Sequence, residues 1–451
     1  MGGCAVDQPA PIEETVLEAL PETTKIAPDY GAAAEMAMGD VRDGWMASFE
    51  DPQLEALVAE ALQHNLNLRA AVARVDAAAG YATQAGAELK PMVGLGGSGK
   101  AQEGFSAADP SISTSGVALN ASWELDLWGR VRAQAQAGET AFEAAQYQLE
   151  WAYRSLAAQT AKTWFLVTEA RLQQELAEEA LGLYQRTLEL IENKFRQGQV
   201  TQRELALARA NVASGQVSVR TVRGSREQAT RALEVMLGRY PAAAIQGAGE
   251  FVPVPPPIPV GIPSQLLERR PDLRAAERAV AAQFYQVQQA EAARLPRITL
   301  TAGLGSSSGE LTDIISLGSN YWSLGANFAA PIFTAGALAA QVDVESAQFN
   351  EAMANYGAAA LRAFSEVEQG LSNESLLRER ESYLVEVRTE TQEALRVTNV
   401  QFNVGRVDFL NVLQQQGQVI SARSALLNIR NQRLQQRVDL HLALGGDFEE
   451  Q

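Results

Sequence analysis

Apolar and polar residues alternate strictly along Val117-Ala-Leu-Asn-Ala-Ser-Trp-Glu-Leu-Asp-Leu127. Successive side chains of a β-strand point to opposite faces, so this period of two predicts a strand with one apolar and one polar face. Asn120, Glu124 and Asp126 fall on the polar face. The same pattern recurs at 93–99, 297–305 and 322–330. We therefore expect four strands in two pairs, within about 92–127 and 297–332.

The length of these strands allows two interpretations. Strands of about 9–11 residues can cross a bilayer, whereas a half-buried sheet in a soluble protein gives the same alternation. The carboxylates of Glu124 and Asp126 suit a water-filled lumen that tolerates cations, and the surrounding sequence offers the strands no other sheet. Lipid does not tolerate open sheet edges, and four strands cannot close a barrel. A membrane location therefore requires several chains to contribute to one barrel.

Two very long helical regions flank the strands. No proline lies between Pro110 and Pro241 or after Pro331, and both regions are rich in Ala, Leu, Glu, Gln and Arg. Because proline ends or kinks helices, these regions predict helices far longer than those of ordinary globular domains, as in coiled coils. Each region is interrupted once, at Arg196-Gln-Gly-Gln-Val-Thr201 and at Asn403-Val-Gly-Arg-Val-Asp408. Glycine favours the left-handed conformation that ends a helix, so we expect two hairpin turns there.

The two halves of the chain repeat each other. Leu68-Arg-Ala-Ala71 recurs as Leu273-Arg-Ala-Ala276, and Phe195-x-x-Gly198-x-Val200 recurs as Phe402-x-x-Gly405-x-Val407. The two offsets, 205 and 207 residues, are nearly equal over more than 130 residues, which indicates an internal duplication.

The boundaries of the repeats follow from these landmarks and from a proline-rich connection at 251–263. That connection predicts a semi-rigid strap, with a plain linker as the alternative. We expect an N-terminal tail, a first repeat with its tip near 198, a linker, a second repeat with its tip near 405, and a C-terminal tail. Their ranges are 1–44, 45–245, 246–265, 266–446 and 447–451.

Composition excludes several classes of protein. The chain has 451 residues, with 37 basic and 54 acidic side chains and a net charge of −17, which argues against nucleic-acid binding. One cysteine and two histidines leave little for metal, redox or acid–base chemistry, so we expect no enzymatic activity, cofactor or metal. Gly94-Leu-Gly-Gly-Ser-Gly-Lys100 is similar to a phosphate-binding loop, but no predicted helix begins after it, so strand glycines explain it better.

Several motifs, in a fixed order from about Trp45 to Gly446, are similar to those of a known protein family. The sequence resembles the outer-membrane factors of tripartite efflux and secretion systems, which are the TolC/OprM-like proteins, in their NodT-type lipoprotein branch. The motifs are Trp45-Met-Ala-Ser-Phe-Glu-Asp-Pro-Gln-Leu54, Glu124-Leu-Asp-Leu-Trp-Gly129, Glu268-Arg-Arg-Pro-Asp-Leu-Arg274, Ala330-Pro-Ile-Phe333 with Gly336, and Leu442-Ala-Leu-Gly-Gly446.

The resemblance implies an architecture and partners. The fold would be mainly α with a small transmembrane β part. Three copies would form a twelve-stranded β-barrel, four strands from each, continued by an α-barrel of long coiled helices in the periplasm. The homotrimer would be a passive exit duct for drugs or other small toxic compounds. It would lie in outer-membrane lipid and work with a periplasmic membrane-fusion adaptor and an inner-membrane pump of the resistance-nodulation-division type.

The same resemblance assigns roles to the hairpin tips. The residues Gly198, Gln199 and Val200 on the first tip, with Gly405, Arg406 and Val407 on the second, would contact the adaptor. A plain helix–helix turn is the alternative. Asp408, Asn411 and Gln414 would line the periplasmic gate, where family members often carry more aspartates. Because amides neither repel each other nor bind cations strongly, we expect a gate that depends little on pH and divalent cations. Asn120, Glu124 and Asp126 would line the barrel lumen.

Cys4 follows Gly3, as at the cleavage site of a lipoprotein, so we expect this cysteine to carry acyl chains such as palmitate. The apolar leader that such a site requires does not precede it, so we expect the natural chain to begin further upstream. An incidental cysteine in a tail is the alternative. Together with the resemblance, this implies a lipid-anchored, membrane-spanning outer-membrane duct for multidrug efflux that extends into the periplasm. The rivals are a duct for type I protein secretion and a soluble coiled-coil scaffold.

Overall fold

The computed structural model of the protein describes residues 6–21, 23–24, 26–33, 43–102, 112–259, 261, 263–310 and 317–448. Within these residues the chain is mainly helical, with a small sheet. The helices are α1 (Ile12–Ala19), α2 (Pro52–His64), α3 (Leu66–Ala87), α4 (Arg130–Arg196), α5 (Gln202–Met236), α6 (Pro263–Arg269), α7 (Pro271–Ala292), α8 (Ala337–Asn403) and α9 (Phe409–Ala443). The strands are β1 (Met92–Gln102), β2 (Ile112–Glu124), β3 (Arg297–Ser308) and β4 (Asn320–Ala329).

The helix lengths confirm the internal duplication. Both α4 and α8 have 67 residues, both α5 and α9 have 35, and both α3 and α7 have 22. The order of helix, two strands, long helix and shorter helix occurs twice. The prediction of a mainly helical, duplicated chain with four short strands is thus confirmed, whereas the residue boundaries of the repeats stay a prediction.

The four strands form one antiparallel sheet in the order β1-β2-β3-β4. Strand β2 starts five residues before the predicted Val117 and ends three before the predicted Leu127. The predicted C-terminal end of β2, at Leu127, was wrong because the backbone turns there. Leu125 still donates to the carbonyl of Ile298, but Leu127 donates back to Leu125, and Gly129 with a φ of 81° begins the turn into α4. The glycine-rich stretch Gly94–Lys100 lies within β1.

The chain divides into two compact units. The first contains the sheet and consists of residues 1–24, 72–149 and 272–360. The second consists of residues 25–71, 150–271 and 361–451, and it contains both hairpin turns. The core of the second unit is built on α2, α4, α5 and α9, with Phe49, Trp164 and Leu434 among its buried side chains. Trp164 also donates its indole N–H to Asp51 at 2.8 Å.

The proline-rich connection at 251–263 and the residues just before it are bonded to helices of the second unit. The carboxylate of Glu234 accepts the backbone N–H groups of Ala243 and Ala244, at 2.7 and 2.6 Å. Further along, the guanidinium groups of Arg171 and Arg437 donate to the carbonyls of Gly247 and Pro256, both at 2.6 Å. The bond to Pro256 satisfies a carbonyl that the polyproline-like segment cannot satisfy internally, and the other bonds fix the chain that leads into it. The contacts favour the strap over the plain linker.

The buried His441 makes the stability of the second unit depend on pH. Its imidazole stacks on Trp45 with ring centroids 5.6 Å apart, and burial, with the nearby Arg437 charge, lowers its pKa to about 3. Between pH 6.5 and 3 the unfolded chain therefore binds a proton that the folded chain does not. We expect unfolding free energy to fall by roughly 1.4 kcal/mol per pH unit in this window as pH is lowered.

The replacement His441→Phe isolates this contribution because it keeps an aromatic ring next to Trp45. We expect this variant to lose that part of the acid destabilisation. Guanidinium unfolding at several pH values between 4 and 7.5 would measure the slopes. An unchanged slope in the variant would show that other groups set the pH dependence.

Candidate functional site

The two predicted tip turns end α4 and α8 in the same way. After α4, Gly198 has a φ of 70°, its N–H donates to Phe195, and the N–H of Gln199 reaches back to Lys194 at 2.9 Å. After α8, Gly405 has a φ of 77° and Arg406 donates to Gln401 at 2.8 Å. Both are helix ends that need a left-handed residue, and this is why glycine stands there.

The next helices start at capping residues immediately after these turns. Thr201 and Glu204 form a capping box at the start of α5, with the Thr201 N–H donating to the Glu204 carboxylate at 2.6 Å. Asp408 caps α9 and accepts the backbone and side-chain N–H groups of Asn411, at 3.2 and 2.7 Å. At each tip a glycine therefore ends one helix and a capping residue begins the next.

One apolar cluster joins the helices near the tips, and we call it the tip cluster. It consists of Ile191 from α4, Leu205 and Ala208 from α5, Phe402 from α8, and Phe409 and Val412 from α9. The rings of Phe402 and Phe409 lie 5.9 Å apart, and the ammonium of Lys194 lies 4.1 Å above the Phe402 ring. Val200 and Val407 pack on this cluster. All four long helices of the second unit thus meet in one hydrophobic contact.

The predicted tip and gate residues differ in exposure. Gln199 and Arg406 are exposed, whereas Val200 and Val407 are half-buried. The gate residues Asp408, Asn411 and Gln414 are exposed in the single chain. Asp408 and Asn411 bond to each other, and Gln414 lies one turn further along α9. Their assignment to adaptor contact and to the gate stays a prediction.

The sheet has one apolar and one polar face. Val93, Leu95, Leu119, Leu300 and Trp322 share the apolar face, which is solvent-exposed in the single chain, with Leu95 75% and Trp322 72% accessible. The other face carries a row that runs across all four strands through Gly94, Asn120, Gly303 and Ser323. The described sheet keeps β1 and β4 as its outer strands. An exposed apolar face with unpaired edges is suited to further association.

The predicted lumen residues do not act alike. Asn120 lies in the middle of the polar face, whereas Glu124 is the last residue of β2 and Asp126 lies beyond the strand. Glu124 binds the guanidinium of Arg130 through both oxygens, at 3.0 and 2.9 Å. Asp126 accepts the backbone N–H of Arg132 at 2.9 Å and pairs with its side chain at 3.2 Å. The two carboxylates brace the start of α4, and the assignment of Asn120, Glu124 and Asp126 to the barrel lumen stays a prediction.

Aromatic residues tie the end of the sheet to neighbouring backbone. Trp123 donates its indole N–H to the Leu89 carbonyl at 3.1 Å, and Trp128 donates to the Pro296 carbonyl at 2.7 Å. Phe333 follows β4 and is almost fully exposed. Aromatic rings at the end of apolar strands are typical of a membrane–water boundary.

The N-terminal segment reaches this same end of the sheet. Val6 packs beside Gly129, and Asp7 exchanges two hydrogen bonds with the side-chain amide of Gln288, at 3.1 and 3.0 Å. All of these residues belong to the first unit. Cys4, the predicted lipidation site, lies outside the described residues.

Sequence reasoning missed a polar seam between α4 and α9. Glu169 accepts the side-chain amides of Asn428 and Asn431, at 3.2 and 2.6 Å, and Gln173 bonds Ser424 at 2.9 Å. Further along, a Gln416 amide donates to Thr187 at 3.2 Å. The sequence does show amides and hydroxyls that recur at otherwise apolar helix positions. That these side chains bond each other becomes evident only once α4 and α9 are seen to pair.

Two searches of the described residues gave negative results. No helix among them is both long and apolar enough to cross a bilayer. In the same part of the chain, no three His, Cys, Asp or Glu side chains are grouped to hold a metal ion.

Comparison with known proteins identifies the family to which this architecture belongs. A family model described as outer membrane efflux protein matches residues 57–239 and 262–446. The pyoverdine export outer membrane protein OpmQ of Pseudomonas aeruginosa is 32% identical over 100% of this chain and 95% of its own. The cation efflux system protein CusC of Escherichia coli O6:H1 is 29% identical over 90% of this chain and 89% of its own.

A solved structure agrees with the sequence relatives. The open state of the Neisseria gonorrhoeae MtrE outer membrane channel is similar with a TM-score of 0.82 and 27% identity, over 96% of this chain and 98% of that one. The family model covers both halves separately, in agreement with the duplication. The resemblance read from the sequence motifs is confirmed. The chain is a member of the outer membrane efflux protein family.

Proposed function

We propose that three copies of this chain form the exit duct of a tripartite efflux system, passive in itself and opened at its tips by a periplasmic adaptor. One observation carries the proposal. A small sheet with an exposed apolar face and unpaired edges belongs to the same chain as two long helical hairpins that end in exposed turns. The family match supports an outer-membrane location and a channel function.

Hydrogen-bond accounting supports the assembly of several copies. In lipid every backbone N–H and C=O needs a partner, so the outer edges of β1 and β4 must pair with strands of other copies. Strand β4 of one copy would pair with β1 of the next. Three copies would give a closed barrel of twelve strands, with the apolar faces toward lipid and the rows through Asn120 toward the lumen.

The tips are the proposed contact surface for the adaptor. Gln199 and Arg406 present exposed polar side chains beside Gly198 and Gly405, whose surroundings are open enough that a Cβ would meet nothing within 4 Å. A helical hairpin of an adaptor can approach such a turn closely. An inner-membrane pump, of the resistance-nodulation-division type, would supply the energy.

The relatives support a duct whose cargo is chosen elsewhere. OpmQ is named for pyoverdine and CusC for cations, although each is about equally similar to this chain. In the present chain the row of the sheet at Asn120 has only glycine, asparagine and serine. Such a surface selects weakly by charge, so we infer that the pump selects among drugs and other small molecules.

The decisive experiment is reconstitution of the purified, full-length chain. We expect trimers in detergent and discrete conductance steps in planar bilayers, together with co-purification of an adaptor and a pump from cells. A detergent-free monomer without any conductance would contradict the proposal and would favour a soluble scaffold.

The gate is expected to respond weakly to pH and divalent cations. Asp408 is the carboxylate that precedes the amides Asn411 and Gln414, and it already caps α9. The change Asp408→Asn keeps a good capping residue, so the fold should persist. We expect single-channel conductance to change little between pH 5 and 8, or with added Mg²⁺, in the original chain and in the variant. Strong block that survives in the variant would contradict this.

The lipid anchor is proposed on chain geometry as well as on sequence. Val6 packs at the start of α4, next to the aromatic end of the sheet, and two further residues, spanning at most about 7 Å, lead back to Cys4. Acyl chains on Cys4 would meet the bilayer there, adding about 0.8 kcal/mol per buried CH₂. We expect Cys4→Ala to lose the acyl mass in intact-protein mass spectrometry. An identical mass difference from the unmodified sequence in both proteins would contradict lipidation.

A further inference from the structure

The helices of the second unit follow a definite spatial order. Helix α5 packs on α4, where Gly215 lies against Tyr184 and Arg209 pairs with Glu192. Helix α4 packs on α9 through the polar seam. Helix α9 packs on α8 through ion pairs from Arg430 to Glu381 and from Arg437 to Glu374, at 3.0 and 2.6 Å. The order is therefore α5-α4-α9-α8, and α5 and α8 are the outer helices.

The outer side of α5 carries a stripe with a seven-residue period. The buried residues Leu205, Ala208, Gly215, Ala229 and Leu233 face the unit. Roughly opposite, on the far side of the helix, lie the exposed residues Ala206, Ala210, Ala213, Val217, Arg220 and Gly224. This spacing is that of a coiled-coil seam, in which apolar and small residues meet a partner helix.

The outer side of α8 carries a matching stripe. Its buried residues include Val367, Leu371 and Glu374. The opposite side exposes Leu376, Glu379, Tyr383, Glu386, Glu390, Glu393, Val397 and Val400, and continues to Val404 just after the helix. Leucine, tyrosine and valine are unusual in such numbers on a solvated helix face, which indicates a covered surface.

The two stripes are complementary in charge and size at the same distance from the tips. Arg220 lies 18 residues after the start of α5, and Glu386 lies 17 residues before the end of α8, or about 27 and 26 Å along each helix. The tips themselves are level within a few residues, because Thr187 and Gln416 bond each other. Next to this pair, the small Gly224 stands at the height of the large Tyr383. Nearer the tips, alanines of α5 stand level with valines of α8.

In the proposed trimer α5 of one copy would pack along α8 of the next, and we propose that Arg220, placed against the acidic group Glu386 and Glu390, sets the register of this antiparallel contact. The proposal rests on the proposed trimer and specifies its helical interface. Neither Arg220 nor these two glutamates forms an ion pair within the part of the chain that the structure describes. A second copy is the occupant that offers the complementary stripe at the matching height.

The interface tightens the assembly only if the charges face each other across it. Beside Arg220 the α5 stripe also has Arg223, while the facing stripe of α8 has carboxylates at three successive positions, Glu386, Glu390 and Glu393. Two copies placed with α5 against α5, or α8 against α8, would oppose like charges and lose affinity. The charge pattern thus favours the head-to-tail contact that closes a ring.

Cross-linking tests the contact directly. We expect the full-length double variant Val217→Cys with Glu390→Cys to form covalent dimers and trimers on mild oxidation, since disulfides need Cα atoms within about 7 Å. The matched control, Val217→Cys with Gln418→Cys, uses an exposed residue of the inner helix α9 and should give none. The single-cysteine variants control for Cys4. Absence of cross-links in a wild-type-like trimer, or cross-links to an adaptor alone, would overturn the proposal.

Charge reversal tests the register. We expect Arg220→Glu and Glu386→Arg each to raise the protein concentration of half-dissociation by about tenfold or more, and the double swap to restore most of the loss. Glu189→Arg, an exposed reversal on the inner helix α4, should have no effect. A swap no better than the two single changes combined would overturn the proposal. A wild-type chain that neither trimerises nor conducts would instead overturn the proposed function.

Discussion

The variant Arg437→Leu is expected to lose about 3 kcal/mol of unfolding free energy, because the buried Glu374 carboxylate then keeps only a longer contact to Arg433, at 3.9 Å. Arg437 is almost completely buried in the second unit and donates to Glu374 and to the Pro256 carbonyl, both at 2.6 Å. Glu374 is only 5% exposed. The substitution therefore removes one bond from the strap and one from α8 at the same time.

Two companion variants separate charge from packing. If the loss comes from the stranded Glu374, the double variant Arg437→Leu with Glu374→Leu should recover much of it, since a buried pair is often replaceable by apolar side chains. The control Arg430→Leu removes a more exposed partner of Glu381, which keeps Arg433 at 2.5 Å, and should cost less than about 1 kcal/mol.

Guanidinium unfolding in detergent would measure the unfolding free energy of all three variants relative to the original chain. Equal losses for Arg437→Leu and Arg430→Leu would show that burial of the pair does not set its contribution. A double variant as unstable as the single one would show that the Pro256 contact, and not the stranded charge, holds the strap.

The local features of the fold could be predicted because short-range rules decide them. The alternation from Val117 to Trp123 predicted the strand correctly. Gly198 and Gly405 predicted the turns, because the helices end there at residues with a left-handed backbone conformation. The first five residues of β2, Ile112-Ser-Thr-Ser-Gly116, lack alternation and were missed. They are strand because β1 provides a paired backbone along their whole length.

The pairing of charged residues could not be predicted in the same way. Alternation placed Glu124 and Asp126 on a polar face, but the turn at Gly129 brings Arg130 and Arg132 back onto them. A periodic pattern describes one element and does not include the geometry of the turn that follows it. The strap contact of Arg437 is also non-local, since it joins residues 181 positions apart.

The variant Phe409→Ala is expected to open the duct, because it removes the centre of the tip cluster. Phe409 is fully buried, and its ring packs on Phe402 near Ile191. Truncating such a ring costs about 3–5 kcal/mol. If opening separates the hairpins and breaks the cluster, the closed state loses this stabilisation. The opening equilibrium would then shift by roughly a hundredfold or more, at 1.4 kcal/mol for each factor of ten.

The neighbouring residue supplies the control for this prediction. Leu410 is 52% exposed on the same turn of α9, so Leu410→Ala should leave both stability and conductance near those of the original chain. Planar-bilayer recordings at equal trimer content would compare the open fractions. If Phe409→Ala lowers stability but leaves the open fraction unchanged, the two hairpins of one copy move together. That result would place the gate between copies, for example at the proposed contact of α5 with α8.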